Sequence, residues 1–247
     1  MPLIRFKKNY VKLFLTGISF LLLGCLLFMT HCKKDDDDPP PPSDIWDIDK
    51  DGIPKFVEYN YIELSKIYRI SKYRSGIGHD YSDATEHCRS MKHYFEPKGT
   101  IDWATVKLFS PVAGTVTRVE QEWAGTKLEI ASDAYPAFRF SIFHITNPTH
   151  QYLVGEKITA GQELGMHIGS QTMSDISVIV NDPTRQGRMV SFFDVITDGV
   201  FNEYHARGVN TRSDMIISKA QRDADPLTCT GDQFATSGTL ENWVVLN

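Results

Sequence analysis

An excess of positive charge is the first thing this sequence lacks. Its 247 residues carry 26 lysines and arginines against 31 aspartates and glutamates, a net charge of -5. Nothing in that balance tracks a phosphate backbone, which excludes nucleic acid as a partner. Cysteine is scarce too, with four in the whole chain, too few for a disulfide-dense scaffold. Cys25 and Cys32 sit at the end of an N-terminal apolar run, which leaves only Cys88 and Cys229 in the body of the protein. What is present is ordinary for a globular chain: 41% hydrophobic and 23% charged residues, enough to bury one good-sized core with a small module appended.

The N-terminal segment, residues 1–32, reads as an address. Arg5, Lys7, Lys8 and Lys12 precede apolar residues from Leu13 to Met29, the charged and hydrophobic regions of a secretory signal. Gly24 before Cys25 resembles the lipobox of bacterial lipoproteins, so lipidation is expected at Cys25 or at Cys32; an uncleaved anchor is the alternative. Residues 33–44, with "KKDDDDPPPPSD", cannot bury apolar surface and read as an extended, hydrated spacer. The chain is therefore expected in the bacterial cell envelope, exported and held to a membrane by its lipid. In that oxidising setting Cys88 and Cys229 are expected to form one disulfide.

Residues 45–75 open on "DIDKDGIPKFVE", a calcium-loop pattern. Asp47, Asp49 and Asp51 supply alternate carboxylates, Gly52 permits the turn, the Ile53 carbonyl follows, and Glu58 closes the shell of hard oxygen ligands. Calcium is the cofactor this predicts, although Pro54 departs from the pattern. Val57, Tyr61, Leu64 and Tyr68 then recur at spacings of four and three, predicting a helix to about Ser71.

From Trp103 to Val180 the period changes to two. "TVKLF", "GTVTRV", "TKLEI", "FRFSIFHI" and "SDISVIV" alternate between glycines and prolines, the pattern of short antiparallel strands. The fold class expected is mainly β with peripheral helices. "SPVAGTVTRV", "IFHI" and "VGEKITAGQELG", in that order, resemble the β-barrel of lysostaphin-type zinc endopeptidases, which cut the peptide crosslinks of bacterial walls.

That resemblance implies a β domain over residues 76–185 and a set of ligands. His79 and Asp83 in "GIGHDYSD" match the family's first zinc pair in spacing, and His144 in "IFHI" matches its lone strand histidine. The final His-x-His is absent: Asp175-Ile176-Ser177 stands in its place, so Asp175 replaces the catalytic histidine and Ser177 the third ligand. Asp175 and Ser177 lie two apart on a strand and should face one side. A serine hydroxyl is a poor zinc ligand, and His79 with Asp83 falls short of the three protein ligands usual at catalytic zinc. Zinc stays possible if Asp175 joins His79 and Asp83, with His93 or His167 adding nitrogen. No role falls to His87 or His150. Tyr81, Arg89, His93 and Tyr94, in the connection "YSDATEHCRSMKHYFEP", are expected to shape the cleft rim.

Residues 186–247 read as a helical extension. Phe192, Val195, Ile196, Val200 and Tyr204 fall near helical spacing with Gly208 as the stop, and "NWVVL" reads as a closing strand. The whole reads as a degenerate peptidase relative acting as a binding or scaffolding module, with peptidoglycan or another glycan as a candidate partner. The alternatives are an active metallohydrolase using His144 and a rearranged Asp175, and a carbohydrate-binding or adhesive surface module.

Overall fold

Alternating apolar residues become strands, of which the central β6 and β9 are buried on both faces. The structure, a computed structural model, describes residues 43–247; the expected signal segment, the lipidation at Cys25 or Cys32 and most of the spacer lie outside the described residues. The principal strands are β1 (Ile67–Ser71), β2 (His93–Pro97), β3 (Lys107–Phe109), β4 (Gly114–Glu122), β5 (Gly125–Ser132), β6 (Phe138–Thr146), β7 (Lys157–Ile158), β8 (Glu163–His167), β9 (Ser174–Val180) and β10 (Arg188–Val190). A small hairpin, β11 (Cys229–Thr230) with β12 (Gln233–Phe234), and a last strand, β13 (Trp243–Val245), complete the set.

One sheet runs in the order β13-β1-β2-β9-β6-β5-β4-β7, with β10 on β9 and β8 bridging β3 and β6. The pairings of these strands are antiparallel, as the alternation predicts. Phe95 on β2, Leu128 and Ile130 on β5, Phe140 and Ile142 on β6, and Ile176 and Val178 on β9 are wholly buried in one core. β9 runs between β2 and β6, pairing His93 with Ile176 on one side and Ile142 with Ile176 on the other. This threefold adjacency positions the site.

Two expected helices are corrected. After the acidic loop the chain forms only a 3-10 turn at Leu64–Lys66 and then β1, not a helix to Ser71. Val57, Tyr61 and Leu64 are indeed buried, but Tyr68 is 43% exposed and breaks the stripe. "IYRIS" is a β-branched and aromatic stretch, and it is drawn into the sheet between β2 and β13, which outweighs the helical spacing. The helix expected from Phe192 is divided into α2 (Phe192–Val195) and α3 (Asp198–His205). Ile196 leaves the helix to make an isolated parallel bridge with Val57, and Thr197 caps α3 with its side chain. Phe192, Val195, Ile196, Val200 and Tyr204 are all buried, so the apolar face survives the break.

The C-terminal segment adds α4 (Lys219–Ala224), yet it is also part of the sheet, through β10 and β13. Cys88 and Cys229 are joined by the expected disulfide, their Cα atoms 5.7 Å apart across 141 residues of sequence. In the chain-entropy account a loop of this length confers about 4 to 5 kcal/mol. The bond fixes the β11–β12 hairpin beside the loop that carries His79. Among the described residues no helix is long and apolar enough to cross a membrane.

Candidate functional site

A cleft of about 590 Å³ opens over the β2-β9-β6 strands. Asp175 lies at its base, and Lys92, Phe143 and His144 line it with Tyr81 and Trp123. Strand alternation selects these side chains. Lys92 and Tyr94 point to the cleft, which turns the intervening His93 the other way.

His93 is buried against the core instead. Its Nδ1 donates to the Ser71 carbonyl at 2.8 Å, its Nε2 lies 2.8 Å from the Ser191 hydroxyl, and its ring packs on Phe193. Burial holds this imidazole down at about 4, against the smaller upward pull of the Ser71 carbonyl. His93, expected as a nitrogen ligand or a rim residue, is therefore neither: it is a neutral core histidine.

Lys92 is the residue the sequence reading missed. Its ammonium lies 2.7 Å from Asp175 Oδ2, with the two side chains 3% and 1% exposed. The same nitrogen sits over the Phe143 ring at 3.7 Å and the Tyr81 ring at 4.1 Å, so two aromatic faces replace part of its lost hydration. His144 approaches the other oxygen, Nε2 to Oδ1, at 3.3 Å. That approach is poorly aimed, and Oδ1 accepts no well-formed hydrogen bond.

The charges are arranged around Asp175. Burial pushes its carboxyl up, but Lys92 and then His144 more than reverse this and hold it below the ordinary aspartate value. Burial pulls His144 down, and Asp175, with help from the Ala124 carbonyl and Glu122, raises it above the ordinary histidine value. Its Nδ1 donates to the Ala124 carbonyl at 2.9 Å, and its Nε2 lies 3.3 Å from both the Thr172 hydroxyl and Asp175 Oδ1. His144 holds a left-handed φ of 63° at the bulge in β6, which turns its side chain toward the cleft. His167 is fully buried against Trp103; burial, and next the charge of His144, lower it to about 4.

The expected pair His79 and Asp83 is not assembled. His79 lines the cleft, its Nδ1 3.0 Å from the Asp80 carbonyl. Asp83 turns away: Oδ1 accepts from the Thr85 backbone at 2.9 Å and hydroxyl at 2.7 Å, and Oδ2 from the Met189 backbone at 3.3 Å. Tyr94 packs beneath this loop so closely that a Cβ on Gly78, at φ 77°, would overlap its ring. Ser177 is buried, its hydroxyl unpartnered, and it does not line the cleft. Arg89 also leaves the rim, pairing with Glu86 and Asp223. Among the described residues no three His, Cys, Asp or Glu side chains gather to hold a metal. The donor set does not fit zinc, because Asp83 is spent on a turn and Asp175 on an ammonium.

The acidic loop is likewise engaged. Asp47 caps the single turn α1 (Ile48–Asp51) by accepting from Lys50 N. Asp49 pairs with Arg188 at 2.9 Å and lies 3.7 Å from Arg185, and Asp51 faces Lys50. Among the described residues no three carboxylates of this loop gather to hold a metal. A calcium shell here would require Asp49 to leave Arg188.

No family model and no curated protein matches the chain. Solved structures do. A chain of the SpoIIQ–SpoIIIAH pore-forming complex aligns at 11% identity over 60% of this chain and 96% of its own, with a TM-score of 0.41. Pseudoalterin, a deep-sea metalloprotease, aligns at 18% identity over 57% of this chain and 73% of its own, TM-score 0.33. Lysostaphin aligns at 13% identity over 45% of this chain and 46% of its own, TM-score 0.29. These are partial likenesses of β structure, and nothing about chemistry passes through them.

Proposed function

We propose that this chain is an exported, lipid-anchored protein of the bacterial cell envelope whose peptidase-like β domain serves as a non-catalytic binding module. The observation that carries the reading is the Lys92–Asp175 pair. At the position where the sequence resemblance expects a catalytic histidine, a carboxylate neutralises a buried ammonium 2.7 Å away. A cation of the chain's own thus occupies the electrostatic role of a metal, and a zinc ion beside it would be repelled. The cleft remains open above the pair, which suits capture of a ligand. The N-terminal signal, the cysteines beside it and the charged spacer support export and anchoring. Calcium at the Asp47–Glu58 loop belongs to this reading as an added clamp on the start of the domain, formed at the expense of the Asp49–Arg188 contact.

The test is zinc content of the purified full chain together with hydrolysis of a crosslinked wall peptide. Zinc well below stoichiometric and hydrolysis at background, unchanged in His79→Ala, are expected. Stoichiometric zinc with turnover, both lost in His79→Ala, would overturn the reading.

A further inference from the structure

Two buried polar atoms on residues that line the cleft lack a well-formed partner, Tyr94 Oη and Asp175 Oδ1. Asp175 lines the cleft, and its buried Oδ1 has only the poorly aimed His144 Nε2, 3.3 Å away, as a donor nearby, an incomplete arrangement for a buried acceptor. A donor entering from the cleft would complete it. A cationic donor is disfavoured, because Lys92 and His144 already flank this carboxylate and Lys127 also lines the cleft. An anionic ligand meets Asp175 and Glu122. A neutral hydroxyl or amide remains.

The apolar surface narrows the choice. Trp123 stands at the tip of the β4–β5 turn, 78% exposed, at the lip of the cleft and 6.5 Å from the His144 ring centroid. Phe143 forms the wall below it. A flat aromatic face held in water above a carboxylate, with Glu122, Lys127 and Gln233 around it, offers stacking for C–H surfaces and both donors and acceptors for hydroxyls. An extended peptide would instead seek a free strand edge. The strand at the cleft base has none: β9 is paired to β2 on one side and β6 on the other beside Asp175.

We infer that this cleft binds a neutral saccharide, one sugar stacked on Trp123 and a hydroxyl donating to Asp175 Oδ1. The inference rests on the binding-module reading and names its ligand class. It is tested by calorimetric titration of the full chain with chitotetraose, cellotetraose and, separately, trialanine. Saturable binding of at least one saccharide is expected, weakened about tenfold or more in Trp123→Ala and unchanged in Leu153→Ala, an exposed apolar residue off this cleft. Trp123→Ala removes an exposed ring, so its melting temperature should match the parent. Asp175→Asn, which keeps the side-chain shape, should also weaken binding wherever its melting shows a folded protein. Binding of neither saccharide, equal loss in both Trp123→Ala and Leu153→Ala, or binding of trialanine alone would overturn the inference. Absence of zinc and turnover with no sugar bound would sink only the ligand class, whereas zinc-dependent turnover would sink the module reading itself.

Discussion

Lys92 Nζ and Asp175 Oδ2 meet 2.7 Å apart with almost no exposure, Lys92 one residue before β2 and Asp175 on the neighbouring β9. Such a pair has mixed energetics. Desolvation of both charges offsets much of their attraction, but removing one partner strands the other. Lys92→Met should therefore lower stability by roughly 3 to 5 kcal/mol, read as a fall in the denaturant midpoint. The double variant Lys92→Met with Asp175→Leu should recover a large part of that loss. A Lys92→Met protein as stable as the parent would mean that Asp175 is neutral or that His144 alone sustains it.

This pair was hidden in the sequence for a physical reason. "MKHYF" offers a histidine, and a search for metal ligands stops there; alternation assigns His93 to the core and Lys92 with Tyr94 to the cleft only once the facing side of the strand is known. The strands between Trp103 and Val180 and the closing strand were legible, since alternation is local; β1, β2 and β10 were not read as strands. So was the disulfide, once two cysteines remained in an exported domain. The helix after the acidic loop was not, because Val57, Tyr61 and Leu64 are buried at helical spacing while the next residues pair with β2 and β13. His79 and Asp83 kept a ligand spacing after Asp83 had become a turn acceptor for Thr85, and spacing alone does not register that change. Trp123 and Lys127 come from a hairpin the sequence placed correctly, but which side of it faces the cleft depends on the bulge at His144.

Acid should destabilise the protein before its carboxylates titrate. His93 and His167 are both held at about 4, each chiefly by burial. In the unfolded chain they protonate near 6.5. Between those values the unfolded state binds more protons, so stability falls as pH drops from about 6.5 to about 4, with a limiting slope of about 1.4 kcal/mol per pH unit for each histidine. His144 runs the other way. Its folded value is raised, so its contribution is fully present below about 6.5 and is lost as pH climbs through the folded value. Denaturant midpoints measured across pH 4 to 8 should show the acid limb, and His93→Gln should be less stable at neutral pH yet shallower on that limb. A flat profile between pH 6.5 and 4 would show that both rings are hydrated.

The acidic loop gives a prediction that separates its two partners. Asp49 is held by Arg188 at 2.9 Å, and Arg188 also reaches Asp182 at 3.1 Å. Burial pushes the Asp182 carboxyl up, but hydrogen bonds from Thr184 and Ile48, with Arg188, bring it down to about 2; it therefore stays ionised and keeps its claim on the guanidinium at neutral pH. Calcium must compete with that guanidinium for Asp49, which lowers the apparent affinity of the loop by the energy of the contact. Arg188→Gln removes the competitor. It should lose some stability without calcium, because Asp182 and Asp49 then lose their nearest cation, Arg185 staying 3.7 Å from Asp49, and gain more from added calcium than the parent does, read as a larger rise in melting temperature at equal calcium. Asp49→Ala in the same background should abolish that gain. If calcium stabilises the parent and Arg188→Gln equally, Asp49 is not a ligand; if it stabilises neither, the sequence pattern marks an acidic turn whose charges are answered by arginine alone.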